Sequence, residues 1–382
     1  MTGGSEVTIP GLDPLPLPGP AWLLQFLLIL TFLLHVLFMN FILGGSILAA
    51  VDRLRGRDPA RPHHRALASW LASLMPVSVA AAVTFGVAPL LLVQALYGRL
   101  FFTGSILMAW FWIAVIPLLI AAYYGTYFLA FQGDRPGGTP HAVAWISAAF
   151  FTAIAFLYSN NMTLTLRPDV FAAKYLKSGA GLTLNLGDPT LIPRYLHMLL
   201  GAIAVAGLAV AHYGLSRLRR DPEFGDWAAR HGTVWFVVPT ALNVLVGIWW
   251  LIALPRDVML RFMGRSPYAA AALGIGSLLG LATLVLMAVW IYSRRPARLA
   301  GIAGAGLVLT LVAMILARDE IRQGMLERAG FRINDWVEPQ WGPIALFLLL
   351  LAASLLIVVW MIVVFARSRP APGDPPSTRV SD

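Results

Sequence analysis

Read for runs of apolar residues, the chain divides into nine: roughly 20–51, 67–97, 103–131, 141–163, 191–215, 232–254, 269–292, 299–317 and 343–366. A helix needs about 20 such residues to cross a hydrocarbon core of about 30 Å, and short polar connections separate the runs. The pattern predicts an all-α integral membrane protein, a bundle of about nine transmembrane helices. Two runs have soft edges: Pro76 and Pro89 interrupt the second, and the glycine-rich Gly301 to Gly306 opens the eighth. Residues 1–19 read as a proline-stiffened tail, 20–366 as one bundle and 367–382 as a disordered tail. No repeat of period 20–50 is visible.

Nine spans put the termini on opposite faces, and the basic residues choose which. With the N-terminus outside, the loops near 52–65, 132–140, 216–231 and 293–298 and the C-terminal tail lie inside. They then carry 16 of the 28 lysines and arginines. The dense short clusters, such as DRLRGRDPARPHHR and SRRPAR, all fall on that side, as the positive-inside bias requires. The expected home is the cytoplasmic membrane of a bacterium. The longer connections, Leu164 to Thr190 and Arg318 to Gly342, then face outward, where a partner would dock.

Composition agrees: of 382 residues 59% are hydrophobic and 12% charged, with mean hydropathy +0.76. The net charge of +10 belongs to loop arginines rather than to a folded basic module, so nucleic-acid binding is excluded. Cysteine is absent, which excludes attached c-type haem, thiolate-held iron–sulfur clusters and disulfides within this chain. Redox chemistry here needs a non-covalent cofactor. The first twenty residues hold two acids and no lysine or arginine, so they lack the basic start of a signal peptide.

Two histidines stand inside spans. His35 is near the midpoint of the first, in FLLHVLFMNF, and His197 lies about two turns into the fifth, in PTLIPRYLHMLLGAIAVAG. An ionisable group at bilayer depth marks a functional site by default. Each histidine is either a helix–helix hydrogen bonder or an axial ligand to haem iron, since neutral imidazole is a common iron ligand. Their depths differ, by roughly 22 Å against 9 Å from the outer end at 1.5 Å per residue, so they do not share one iron. The remaining histidines sit at loops or helix ends; His63 and His64 read as solvated loop residues. All 18 acids fall in loops, tails or span edges on this reading. A proton-consuming oxidase needs carboxylates buried along a relay, so their absence points away from oxygen reduction.

Cations cluster toward the outer surface: Arg99, Arg167, Lys174, Lys177, Arg194, Arg318 and Arg322. Snorkelling explains most of them. Arg194 precedes His197 by one turn on the same face, where a guanidinium would pair a haem propionate. In VQALYGRLFF, Gln94, Tyr97 and Arg99 are candidates for a quinone site.

The run LLQFLLILTFLLHVLFMNFILGGSILAAVDRL resembles the first helix of the large subunit of cytochrome bd quinol oxidase. YSNNMTLTLRPDVF followed by LNLGDPTLIPRYLHMLLGAIAVAGLAVAHYGL resembles that subunit's fourth-helix exit, outer loop and fifth helix. The resemblance covers about 20–220. It implies nine spans with the N-terminus outside, and makes His35 and His197 haem ligands. It also shows departures. The third span, FTGSILMAWFWIAVIPLLI, has no glutamate. The eighth-helix glutamate ligand falls at an apolar position, Ile315. The nearest methionine for the fifth-helix haem is Met263, and the quinol loop shrinks to PRDVMLRFMGRSPY.

The expected protein therefore holds haem b, one or two, and moves electrons between membrane quinone and a periplasmic or outer-face redox protein such as a c-type cytochrome, alongside other membrane subunits. A haem-free membrane anchor and a transporter are the alternatives. The transporter lacks buried charges and paired broken helices.

Overall fold

A chain segment in lipid must satisfy its own backbone, and a helix does so within one segment; the apolar runs accordingly become helices. The structure is a computed structural model that describes residues 15–132, 137–291, 297–333 and 336–367. Its elements are α1 (Ala21–Arg55), α2 (Pro62–Leu107), α3 (Ala109–Gln132), α4 (Thr139–Thr165), a 3-10 turn (Pro168–Val170) and α5 (Phe171–Lys177). They continue with α6 (Leu191–Arg217), α7 (Pro222–Ala253), α8 (Arg256–Leu260), a π-helical turn (Arg261–Arg265), α9 (Pro267–Trp290), α10 (Ala297–Arg328) and α11 (Trp341–Arg367). Among the described residues no strand forms. The protein is an all-α, multi-pass membrane protein: eight helices, α1 to α4, α6, α7, α9 and α10, are long and apolar enough to cross. The ninth expected span is α11, whose stretch Trp341–Ile357 is a shorter apolar helix.

Helix starts follow local chemistry. Proline opens α2, α4, α7 and α9, where its missing N–H costs nothing. Asp221 caps α7 by accepting from the Phe224 N–H at 3.2 Å, and Ser266 caps α9 through Ala269 N–H at 3.2 Å. Two boundaries differ from expectation. The second run does break at Tyr97, whose backbone is non-helical, but no loop follows: helix resumes directly and ends at Leu107, capped by Met108, because GRLFFTGSIL contains nothing that ends a helix. The eighth span continues to Arg328, because ARDEIRQGMLER is strongly helix-forming although polar.

Two compact units emerge. In the first, residues 25–333, α6 and α7 pack along much of their length. A Cβ on Gly207 would lie 2.4 Å from the Trp235 carbonyl carbon, and one on Gly232 would lie 2.3 Å from Ala211 N. Such backbone-to-backbone approach is how membrane helices gain contact without a hydrophobic drive. Gly44 of α1 meets Ala202 of α6 in the same way, at 2.1 Å from its carbonyl oxygen. Asn160 and Asn161, buried at the end of α4, tie in neighbouring segments: Asn160 Oδ1 accepts from Asn185 N–H and Asn161 Nδ2 donates to Ser105 Oγ, both at 3.0 Å. The second unit combines, among the described residues, 15–24 with 336–367. Leu17 there pairs with the segment before α11, its N–H donating to Trp336 O at 2.8 Å and its carbonyl accepting from Glu338 N–H at 3.0 Å. The expected tails fall, apart from residues 15–19 and Arg367, outside the described residues.

Candidate functional site

A cavity of about 340 Å³ opens inside the first unit among α1, α2, α4, α6 and α10, with walls that are mainly aliphatic and aromatic. His35 lies in its wall. The ring packs against Gly86, where a Cβ would stand 2.7 Å from Nδ1 and 2.8 Å from Cε1. Nδ1 is 2.9 Å from the Ala82 carbonyl oxygen. A carbonyl only accepts, so Nδ1 carries the hydrogen and Nε2 keeps its lone pair, the arrangement found in metal-ligating histidines.

Three arginines line the same cavity: Arg194 from α6, and Arg318 and Arg322 from α10. Arg194 is buried, and the other two lie deep in the bundle with part of their surface toward the cavity. The Arg318 guanidinium stands 4.1 Å from the Phe32 ring centroid and that of Arg322 5.0 Å from the Tyr97 ring. Arg194 donates to Thr163 Oγ1 at 3.4 Å. The Nε atom of each arginine is buried with no hydrogen-bond partner. One carboxylate, Asp319, also lines the cavity and is paired with Arg322. Three cations against one anion leave two positive charges facing an apolar hollow, and unpaired charge at that depth is costly. Two carboxylates from a bound molecule would balance it.

The sequence-predicted residues separate here. His35 and Arg194 share the cavity, whereas His197 does not line it. His197 packs on Trp250 with ring centroids 5.6 Å apart, and its Nδ1 is buried without a partner. Arg194 lines the hollow of His35 and also stands 6.0 Å over the Trp250 ring on which His197 packs, so it lies between the two histidines. Gln94, Tyr97 and Arg99 do not converge: Tyr97 is buried in the cavity wall, near Gln323 Nε2 at 3.4 Å, while Arg99 is exposed. Ile315 lines the cavity as expected but offers no ligand atom, and Met263 is exposed and outside it.

Two expectations are corrected. Arg318 and Arg322 are not surface cations; the extra turns of α10 carry them into the cavity wall together with Asp319, so acids do lie within a spanning helix, Glu320 and Glu327 following on the same one. His64 is not a solvated loop residue. It sits in the first turn of α2, bonded at 2.6 Å to Asp52, whose side chain is fully buried. The sequence signal for the first was the spacing Arg318, Arg322, Leu326, one helical face continuing past the apolar run.

Fold and cavity together define a polytopic helical membrane protein with an internal, cation-lined hollow. The fold itself is that of a bd oxidase: the solved structure of the bd oxidase from Geobacillus thermodenitrificans matches with a TM-score of 0.70 at 13% identity, covering 93% of this chain and 100% of that one. No family model matches the chain, and no curated protein matches it.

Proposed function

We propose that the chain is a membrane-embedded, haem b-binding electron-transfer subunit of a respiratory complex in a bacterial cytoplasmic membrane. In this reading it passes electrons between the quinone pool and a redox partner at its outer face, and is not itself an oxygen reductase. The carrying observation is the pairing of a histidine with a free Nε2 and a net double positive charge in one apolar cavity. Haem b needs one imidazole, apolar walls and counter-charges for two propionates, and the residues present fit it. Bound there, it would supply one-electron exchange. His35 would hold the iron, with Gly86 leaving room for the ring and Ala82 fixing its tautomer. Arg194, Arg318 and Arg322 would hold the propionates. Met39, Met162 and Met198 line the same hollow, and a thioether there would be a further soft donor to the iron. The bd-oxidase fold supports the respiratory setting.

A second haem, on His197, is favoured by one observation: that buried imidazole packs on Trp250, over which the Arg194 guanidinium also stands at 6.0 Å. The reduced-minus-oxidised spectrum of the purified full chain tests both readings. A b-type α-band that His35→Ala abolishes, or halves where a second haem is present, supports the proposal. A band that His197→Ala halves adds the second haem. A colourless, folded wild-type preparation overturns both and leaves a cofactor-free anchor.

A further inference from the structure

At the other end of α1, 17 residues or about 25 Å beyond His35 along the helix, three side chains from three helices converge. Asp52 comes from the last turn of α1, His64 from the first turn of α2 and His231 from α7. His64 Nδ1 is 2.6 Å and His231 Nε2 is 3.0 Å from Asp52 Oδ1, and the three ligand atoms lie within 4.8 Å of one another. The carboxylate is fully buried, while the imidazoles keep 13% and 12% of their surface exposed, which leaves a path for an ion and a water. Gly56 makes the turn that allows this: a Cβ there would lie 2.8 Å from Arg65 N, so the glycine lets α2 start close against the end of α1. Trp227 stacks on His231 at 4.7 Å and meets His64 edge-on at 4.8 Å, holding both rings.

The hydrogen bonding at His231 is in conflict. Trp235 Nε1–H, a donor only, points at His231 Nε2 at 3.1 Å, so Nε2 presents its lone pair. The same lone pair faces a carboxylate oxygen that also only accepts. A proton on Nε2 would satisfy Asp52 and set two hydrogens against each other at the indole. A cation between Nε2 and the carboxylate, whose Oδ2 is also only 3.2 Å from Nε2, removes the repulsion.

We propose that Asp52, His64 and His231 form a binding site for a divalent transition-metal ion, chemically of the zinc class, that staples α1, α2 and α7. Two neutral imidazoles and one carboxylate are a three-point set that leaves a position for water. Ligand atoms around a tetrahedral ion stand about 3.2–3.6 Å apart at bond lengths of about 2.0–2.2 Å, so entry requires the side chains to open by less than about 1 Å. The site is independent of the haem reading.

The full chain, purified in detergent, stripped with chelator, equilibrated with zinc and desalted, is assayed for metal by mass spectrometry. The wild type should retain one zinc per chain, as should the control His63→Gln/His141→Gln. Retention should fall at least tenfold in Asp52→Asn and in His64→Gln/His231→Gln. Equal zinc in those variants, or none in the wild type, overturns the proposal. Should the variants fail to accumulate, zinc-edge X-ray absorption of the wild type decides: a shell with two imidazoles supports the site, and one without imidazole refutes it.

Discussion

One methyl group at Gly86 probes the cavity more gently than deletion of its histidine. The added Cβ of Gly86→Ala would press into the His35 ring at 2.7–2.8 Å, closer than real Cβ contacts come. The imidazole must swing off Ala82, and the tautomer that frees Nε2 is no longer enforced. We expect the haem-to-protein ratio of Gly86→Ala to drop severalfold while the variant still migrates as folded protein on size exclusion; an unchanged ratio would mean His35 does not hold the iron. Arg318→Gln asks a different question. Reduction lowers the charge at the iron by one unit, so a neighbouring cation favours the reduced form, and removing it lowers the potential. At a separation of about 8 Å and an effective dielectric of about 20 the interaction is roughly 2 kcal/mol, near 90 mV for one electron. A redox titration of the α-band should show a decrease of that order; a rise would place the haem elsewhere.

Among the elements, the connection from α4 to α6 is held by charge as well as by the buried Phe171. Arg167 pairs with Asp169 at 2.7 Å and with the buried Asp188 at 2.8 Å. Asp188 Oδ1 also accepts from the Thr190 N–H at 2.9 Å at the entry to α6, and Lys174 Nζ donates to Leu184 O at 3.0 Å. The Arg167 guanidinium holds the Asp169 carboxyl below the usual carboxylate range. A depressed folded-state value gives stability that is present above the unfolded value, near 3.9, and is lost as pH falls through the folded one. Asp169 is more than half exposed, so its share is small. The segment should stay protected at pH 5 and gain amide exchange as pH drops below about 4; exchange that is flat over that range would show the pairs to be incidental. None of this was legible from hydropathy, which marks the connection only as polar. The helices themselves were legible because apolar length is dictated by the bilayer. Their ends were less so, because Tyr97 is a kink inside α2 and the last turns of α10 are too polar to extend the apolar run, with only Ile321, Met325 and Leu326 keeping its face.

For the whole molecule, the sequence disclosed which residues carry chemistry better than it disclosed which of them meet. His35 stood out because imidazole is expensive in lipid, and it does line the cavity. The pairing of Arg194 with His197 was inferred from one helix face; tertiary packing sets both on Trp250 and brings the arginine into the wall of the His35 cavity as well. Arg318 and Arg322 became visible only once α10 was seen to continue, and Asp52 with His64 only once α2 was seen to begin beside the end of α1. Direction across the membrane rests on the arginine clusters of the 52–65, 216–231 and 293–298 segments, and it decides where an electron partner can dock. The chain has no cysteine, so single cysteines can report direction without a background. Arg57→Cys and Glu223→Cys lie at the end where α1 meets α2 and α6 meets α7; Lys177→Cys lies on α5, at the Arg194 end. With the N-terminus outside, a membrane-impermeant maleimide added to intact cells should label position 177 and spare 57 and 223 until the cells are broken. The reverse pattern would put the three cavity arginines toward the cytoplasm. The propionate end of the proposed haem would then face a cytoplasmic partner, and electron transfer to an outer-face protein would lose its geometry even with His35 and the cavity intact.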